Sequence, residues 1–218
     1  MKLHPAASFR TLVLGLVLFP LFSLGQELKP ISLPAPQTNG GKPLMQALKD
    51  RHTTREFSPQ KVSSQTLSNL LWAAFGINRP DTGKRTAPSA MNWQEIDIYL
   101  ATPDGLYIYD AKGNKLDPIL VGDVRGATGT QSFVKDAPVN LVYVADLAKT
   151  ERASGADRDL YTGADVGFIA QNVYLFGASE GLNVVVHASI DRPPLAKLMK
   201  LRPDQKILLA QTVGYPRK

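Results

Sequence analysis

Asp159 to Glu180, DLYTGADVGFIAQNVYLFGASE, is the longest helical pattern in the sequence, with Val166, Ile169, Ala170, Val173, Phe176 and Gly177 recurring at helical spacing. Gly163, Ala164, Gly167, Ala170, Gly177 and Ala178 recur along it, and such small side chains let another helix or a flat ligand approach closely. Apolar runs suited to central strands flank it, Val139 to Ala145 before and Asn183 to Val186 and Ile207 to Val213 after. Upstream, Glu95 to Thr102 sets Ile96, Ile98 and Leu100 against Glu95, Asp97 and Tyr99. Pro103-Asp104-Gly105 then turns the chain into a second alternating run, Leu106 to Asp110, which predicts a β-hairpin. Helices and strands interleave without a regular βαβ rhythm, so the fold class is α+β.

Shorter helices complete the pattern. Leu44 to Arg51 carries Leu44, Met45, Ala47 and Leu48 at helical spacing, and Ser63 to Asn78 has Ser63 as N-cap, Gly76 at its end and a buried face of Leu67, Leu70, Leu71, Ala74 and Phe75. Trp72 is assigned to that buried face. Asp191 with Pro193 and Pro194 predicts a last helix through Leu201. Residues 26–43 carry Pro30, Pro34, Pro36, Pro43 and the Gly40-Gly41 pair without periodicity, and form an extended arm ahead of a domain over residues 44–218.

Residues 1–25 are of another kind. Lys2 and Arg10 precede an uncharged run from Thr11 to Leu24, and Ser23 and Gly25 place small residues ahead of a cut before Gln26, the pattern of a Sec-type secretory signal peptide. The run of about 14 residues falls short of the roughly 20 that span a bilayer, so a retained anchor is the second reading and no stable membrane anchor is expected after cleavage. The expected location is periplasmic or secreted. The chain has 218 residues, enough for one sizeable core, with 44% hydrophobic and 20% charged residues. It has no cysteine, which excludes disulfides, thiolate metal sites and cysteine nucleophiles. With few histidines, no metal site is expected. Net charge is +6, of which Lys2 and Arg10 carry two, and the remaining basic residues are dispersed among acids, which argues against nucleic-acid binding.

Two clusters could carry chemistry. Arg51-His52-Thr53-Thr54-Arg55-Glu56-Phe57 places two guanidinium groups and two hydroxyls at a helix end. These could give forked donors to a phosphomonoester, or could form an ordinary solvated basic terminus. Arg85 to Gln94, RTAPSAMNWQ, is a proline-led loop offering amides and hydroxyls to a planar heterocycle, or capping its own backbone. His187 reads as a hydrogen-bonded core histidine or as a polar wall to a site. Asp159 and Asp165 read as acids placed near a helix N-terminus for dipole reasons, and Trp93 as a wall of a substrate pocket.

These stretches together resemble the FMN-dependent nitroreductase superfamily, most closely its SagB-type dehydrogenase branch. Arg51 to Phe57 looks like the family's R-[RH]-[ST]-x-[RK]-x-F element, LSNLLWAAFGI at 67–77 and RTAPSA at 85–90 like two motifs of the branch, GLYIYDAKGNKL at 105–116 like its hairpin, and Gly214-Tyr215-Pro216 like its terminus. Met91-Asn92-Trp93-Gln94 looks instead like the S-x-N-x-Q-P of ordinary nitroreductases. The resemblance implies a central, mostly antiparallel sheet flanked by helices, with Gly163 to Gly181 as a long dimer helix. It implies a homodimer with FMN at the interface. Arg51, His52, Thr53 and Arg55 would hold the phosphate and ribityl chain, and Arg217 could join them. Pro88, Ser89, Ala90 and Asn92 would reach the ring from the other subunit, and the N–H groups of Ala188 and Ser189 would face its N5 and O4 edge. The function implied is an exported oxidoreductase passing hydride or electrons between a donor and a small organic acceptor. The alternatives are azoline oxidation in peptide maturation and flavin binding without turnover.

Overall fold

The computed structural model describes residues 1, 28–150 and 153–217. Apart from Met1, the leader lies outside the described residues, as do the first two residues of the arm. In chain order the elements are β1 (Ile31–Ser32), α1 (Leu44–Asp50), α2 (Ser64–Phe75), a small hairpin β2 (Ile77–Arg79) and β3 (Lys84–Arg85), β4 (Ile96–Ala101), β5 (Gly105–Asp110), β6 (Lys115–Val121), β7 (Val139–Asp146), α3 (Gly155–Glu180), β8 (Asn183–His187), α4 (Arg192–Leu198) and β9 (Gln205–Gly214). Seven strands form one sheet in the order β1-β6-β5-β4-β7-β9-β8. Every neighbouring pair is antiparallel, which is the expected α+β architecture.

Both faces of the sheet are covered, and β7 shows why its run is apolar throughout. Val139, Leu141, Tyr143 and Ala145 join Leu70, Leu71, Val166, Ile169 and Val173 of α2 and α3 in one core. Val142 and Val144 join Leu195 and Met199 from and beside α4 in another. The alternation expected in β4 is therefore not a solvent alternation: Tyr99 lies in the α4 core and Glu95, just before the strand, is fully buried. β8, expected to be central, is the last strand of the sheet. Val184 packs into the α3 core and Val185 against Phe57 and Phe133. Its outer edge is covered by residues 54–56, through Thr54 N–H to Val184 O at 3.1 Å and Asn183 Nδ2 to Glu56 O at 2.6 Å. Its apolarity reports covered faces, not a central position.

Local signals set the helix ends. Ser63 Oγ accepts from Thr66 N–H at 3.0 Å and caps α2 as expected. Gly181, at φ 71°, closes α3 in the left-handed conformation. A side chain at Gly177 would collide with Val184, so this residue sets how closely α3 lies on the sheet. Helix α3 begins at Gly155, one turn earlier than the pattern predicts. Helix α4 stops at Leu198 instead of Leu201, and Asp191 makes no side-chain cap. The two residues whose N–H groups such a cap would take are Pro193 and Pro194, which have none. Trp72 is half-buried, off the core face, with Nε1 donating to Ile77 O. Of the arm, Ile31–Ser32 pairs with Lys115–Leu116 at the sheet's other edge, and Leu33 is buried beneath α2.

Candidate functional site

Arg51 ends α1 in an extended conformation, φ −60° and ψ 118°, so the chain leaves the helix straight and runs along the open edge of β8. Thr53 Oγ1 is 3.0 Å from Tyr174 OH, which accepts the Val186 N–H at 2.9 Å, and the Arg51 guanidinium carbon lies 5.4 Å from the centre of the Tyr174 ring. Tyr174 thus fixes the segment to β8 and carries Arg51 on its face. Arg55 is exposed, and neither Arg51 nor Arg55 has an acidic partner among the described residues. His52 points elsewhere: its Nδ1 donates to Asp50 O at 2.6 Å, and the ring lines a cavity of about 510 Å³ with Lys42, Lys49, Asn183 and Pro216. Ser58 N–H to Tyr215 O, 2.8 Å, brings the C-terminal tail beside this segment, with Arg217 exposed. Replacing Tyr174 by Phe should cost about 1–3 kcal/mol in urea unfolding, because it strands the Val186 N–H.

At the end of β8, His187 is buried, with Nε2 3.3 Å from Thr212 Oγ1 and its ring edge-on to Phe133. Thr212 Oγ1 donates to Asn140 Oδ1 at 2.6 Å and so takes the His187 Nε2–H as acceptor. Burial pushes the imidazole down to about 4, so it is neutral near pH 7: a core histidine, the first of its two readings. The chain then emerges at Ala188 and Ser189, both exposed. Their carbonyls accept from Ile190 and Thr130 N–H, while their own N–H groups have no protein acceptor among the described residues.

The loop from Arg85 to Gln94 is braced from within. Arg85 donates to Gln94 Oε1 and Phe75 O, both at 2.9 Å, and its guanidinium carbon lies 4.8 Å from the Phe75 ring centre. Ser89 Oγ accepts Gln94 N–H at 3.0 Å, and Asp165 Oδ2 accepts Ala90 N–H at 2.8 Å. Met91, Asn92 and Gln94 have φ of 49°, 56° and 51°. Three left-handed residues that are not glycine cost roughly 1 kcal/mol or more each, and such strain persists where surrounding bonds over-determine the backbone. Pro88 and Asn92 are exposed, and Trp93 stands edge-on to Tyr161 with ring centres 6.0 Å apart. Asp165, expected near a helix N-terminus, lies well inside α3 and is 2% exposed, so the dipole explanation fails and its role is the bond to Ala90.

Asp165 and Tyr174 are stations on one helix, nine residues and about 13 Å apart along its axis. Within one chain the Ser89 loop and the Arg51 segment are therefore separate. The outer face of α3 exposes Leu160, Tyr161 and Phe168, and a Cβ on Gly163 or Gly167 would meet no described atom within 4 Å. No described residue of their own chain requires those glycines.

The characteristic sequence pattern of the nitroreductase family matches residues 48–215. The chain belongs to the nitroreductase family. It is accordingly an oxidoreductase of that type. A candidate nitroreductase of Ralstonia eutropha, known from a crystal structure, is 40% identical, with a TM-score of 0.84 over 89% of this chain and 93% of that one. A candidate nitroreductase of Methanocaldococcus jannaschii is 28% identical over 169 residues, 73% of this chain and 85% of the relative. A Desulfovibrio desulfuricans family member crystallised in complex with FMN shares the fold at 20% identity, with a TM-score of 0.59 over 82% of this chain and 89% of that one. Against this family frame, sequence reasoning passed over Tyr174, which sits between Val173 and Leu175 like any core residue, and Glu95, which opens an apparently amphipathic strand.

Proposed function

We propose that two copies of this nitroreductase-family chain bind FMN between them and pass hydride or electrons between a donor and a small organic acceptor. The observation that carries this reading is a set of donors without acceptors: the Arg51 and Arg55 guanidinium groups, and the bare N–H groups of Ala188 and Ser189 where β8 ends. Arg51, Arg55 and the Thr53 hydroxyl suit a phosphate and its adjoining chain, with Arg217 at the nearby tail, and His52 is left to the cavity beside them. The Ala188 and Ser189 N–H groups suit the electronegative edge of a flavin ring, where donors stabilise negative charge as the ring is reduced. Pro88, Ser89, Ala90 and Asn92 would close the site from a second copy, since in one chain they lie at another station of α3. The exposed Leu160, Tyr161 and Phe168 and the open space over Gly163 and Gly167 support α3 as the surface that brings the copies together. Bound FMN would supply reversible two-electron and one-electron chemistry; the protein positions it and limits what stacks on it.

The leader pattern supports export, and we propose a periplasmic or secreted enzyme. The 67–77 and 85–90 motifs support a position near the SagB-type branch, whereas Asn92 and Gln94 depart from that branch and favour a stand-alone reductase over azoline oxidation. The test is to purify the mature chain, release and identify any flavin, and titrate with dithionite before reoxidation by quinones and nitroaromatics. Yellow protein that cycles supports the reading. Colourless protein that ignores added FMN ends it, and bound flavin that never turns over leaves a binding protein instead.

A further inference from the structure

Glu95 is fully buried, and neither carboxylate oxygen has a hydrogen-bond donor among the described residues. Its neighbouring carboxyl is Asp165, itself 2% exposed and already accepting the Ala90 N–H at 2.8 Å. Two carboxylates can only accept, so as anions they repel and Glu95 stays unsatisfied; with one proton between them, Glu95 donates to Asp165 and one of its two unpartnered oxygens gains a partner. We propose that Glu95 and Asp165 share one proton, and that this proton latches the Pro88–Gln94 loop to α3, making closure of the loop pH-dependent.

The chemistry around the pair favours the protonated state. Burial is the main cause that pushes Glu95 up to about 7, and the neighbouring Asp165 adds to it; burial likewise raises Asp165. From the remaining elements packed there, the charged groups among the described residues include Lys149, Asp97 and Asp146, with Arg202 on Asp146 and Arg85 on Gln94 Oε1. Lys149 lowers Glu95, and it is engaged with Asp97 at 3.2 Å and Asp146 at 3.9 Å. Tyr161 faces the loop from α3 through Trp93. The loop is also strained at Met91, Asn92 and Gln94, so it closes only while its bonds hold it. Ala90 N–H to Asp165 and Gln94 N–H to Ser89 are those bonds, and the proton keeps the first from being pulled apart by charge repulsion.

The sign follows from linkage. The closed loop holds a proton that the open loop, with Glu95 solvated, gives up to water at the ordinary glutamate value of 4.5. Closure is therefore complete at low pH, weakens by up to about tenfold per unit as pH rises from there to about 7, and levels off above. Because Glu95 and Asp165 act through the loop, they are positioning residues.

The test reads the loop without flavin. In a Trp72→Phe background, Trp93 is the sole tryptophan, and its emission should change between about pH 4.5 and 7. Adding Glu95→Gln, which keeps a neutral donor to Asp165, should flatten the profile. Asp165→Asn, which keeps the acceptor for Ala90 and gives Glu95 a donor in place of a second carboxylate, should move the transition to lower pH, and it guards against one variant failing to fold. A parent profile that is already flat, or a transition that neither substitution alters, overturns the latch. The second arm rests on the proposed FMN site: the FMN dissociation constant should rise with pH in the parent and not in Glu95→Gln. Trp93 titration without any FMN binding would sink the flavin reading and keep the latch, whereas FMN binding whose pH profile is the same in both proteins would sink the latch and keep the flavin.

Discussion

A chain carrying Arg51→Gln and Arg55→Gln is expected to bind FMN about two to four orders of magnitude more weakly than the parent, with little change in unfolding temperature. Charge-assisted hydrogen bonds to a phosphate are worth roughly 1.5–3 kcal/mol each, and 1.4 kcal/mol is tenfold in affinity. The folded state has little to lose, because among the described residues neither guanidinium makes an ion pair and Arg51 contributes its contact with the Tyr174 ring, worth about 1 kcal/mol at a partly exposed position. The split between the two readouts is the point. Fluorescence titration with FMN and a thermal melt on the same sample measure both. Affinity within threefold of the parent would remove the phosphate from this segment, and a large fall in stability alone would return it to the ordinary role of a structural helix terminus.

The fold was legible where one residue's chemistry decides one local event. Ser63 caps α2, α3 ends at Glu180, and the turn at Pro103-Asp104-Gly105 joins β4 to β5. It was less legible where tertiary cover overrides pattern. A run such as Val184 to Val186 reports two covered faces and cannot say whether a neighbouring strand or a crossing loop occupies its edge. Tyr99 looks like a solvent residue because a sequence does not show that α4 and its loops close the second side of the sheet, and Glu95 does because it does not show that the start of β4 meets Asp165 of α3. The candidate site divides the same way. The guanidinium and hydroxyl groups of Arg51 to Arg55 announce their chemistry by composition, and the structure brings Arg51 and Thr53 together on Tyr174 while turning His52 away. An extended segment alternates its side chains, so 51 and 53 share a face that 52 does not. Tyr174 and Glu95 carry no such announcement, since one is spaced like core and the other like surface. Only burial combined with a missing donor singles out Glu95.

The largest expected effect concerns the outer face of α3. Phe168 is 47% exposed on the face where Gly163 and Gly167 leave space for a close neighbour. Replacing it by Lys places a charge at the centre of that face, and burying an unpaired charge costs about 3 kcal/mol or more, so subunit affinity should fall at least a hundredfold and sedimentation should shift from dimer to monomer. Flavin should be lost as well, because in the proposed arrangement a monomer would hold each half of the site but never a whole one. A mixing experiment separates this from a general loss of fold. A chain with Arg51→Gln and Arg55→Gln keeps an intact loop, and a chain with Ser89→Trp keeps an intact phosphate segment; each alone should fail to bind. In a twofold dimer that shares its sites between copies, the mixed dimer has one site with both defects and one with none. Random exchange makes about half of all dimers mixed, so about a quarter of the sites should recover flavin. If the loop and the phosphate segment served the same site from the same chain, no mixed dimer could contain an intact site and recovery would be nil. Adding Phe168→Lys to both chains should abolish the rescue, since the restored site exists only across the α3 contact.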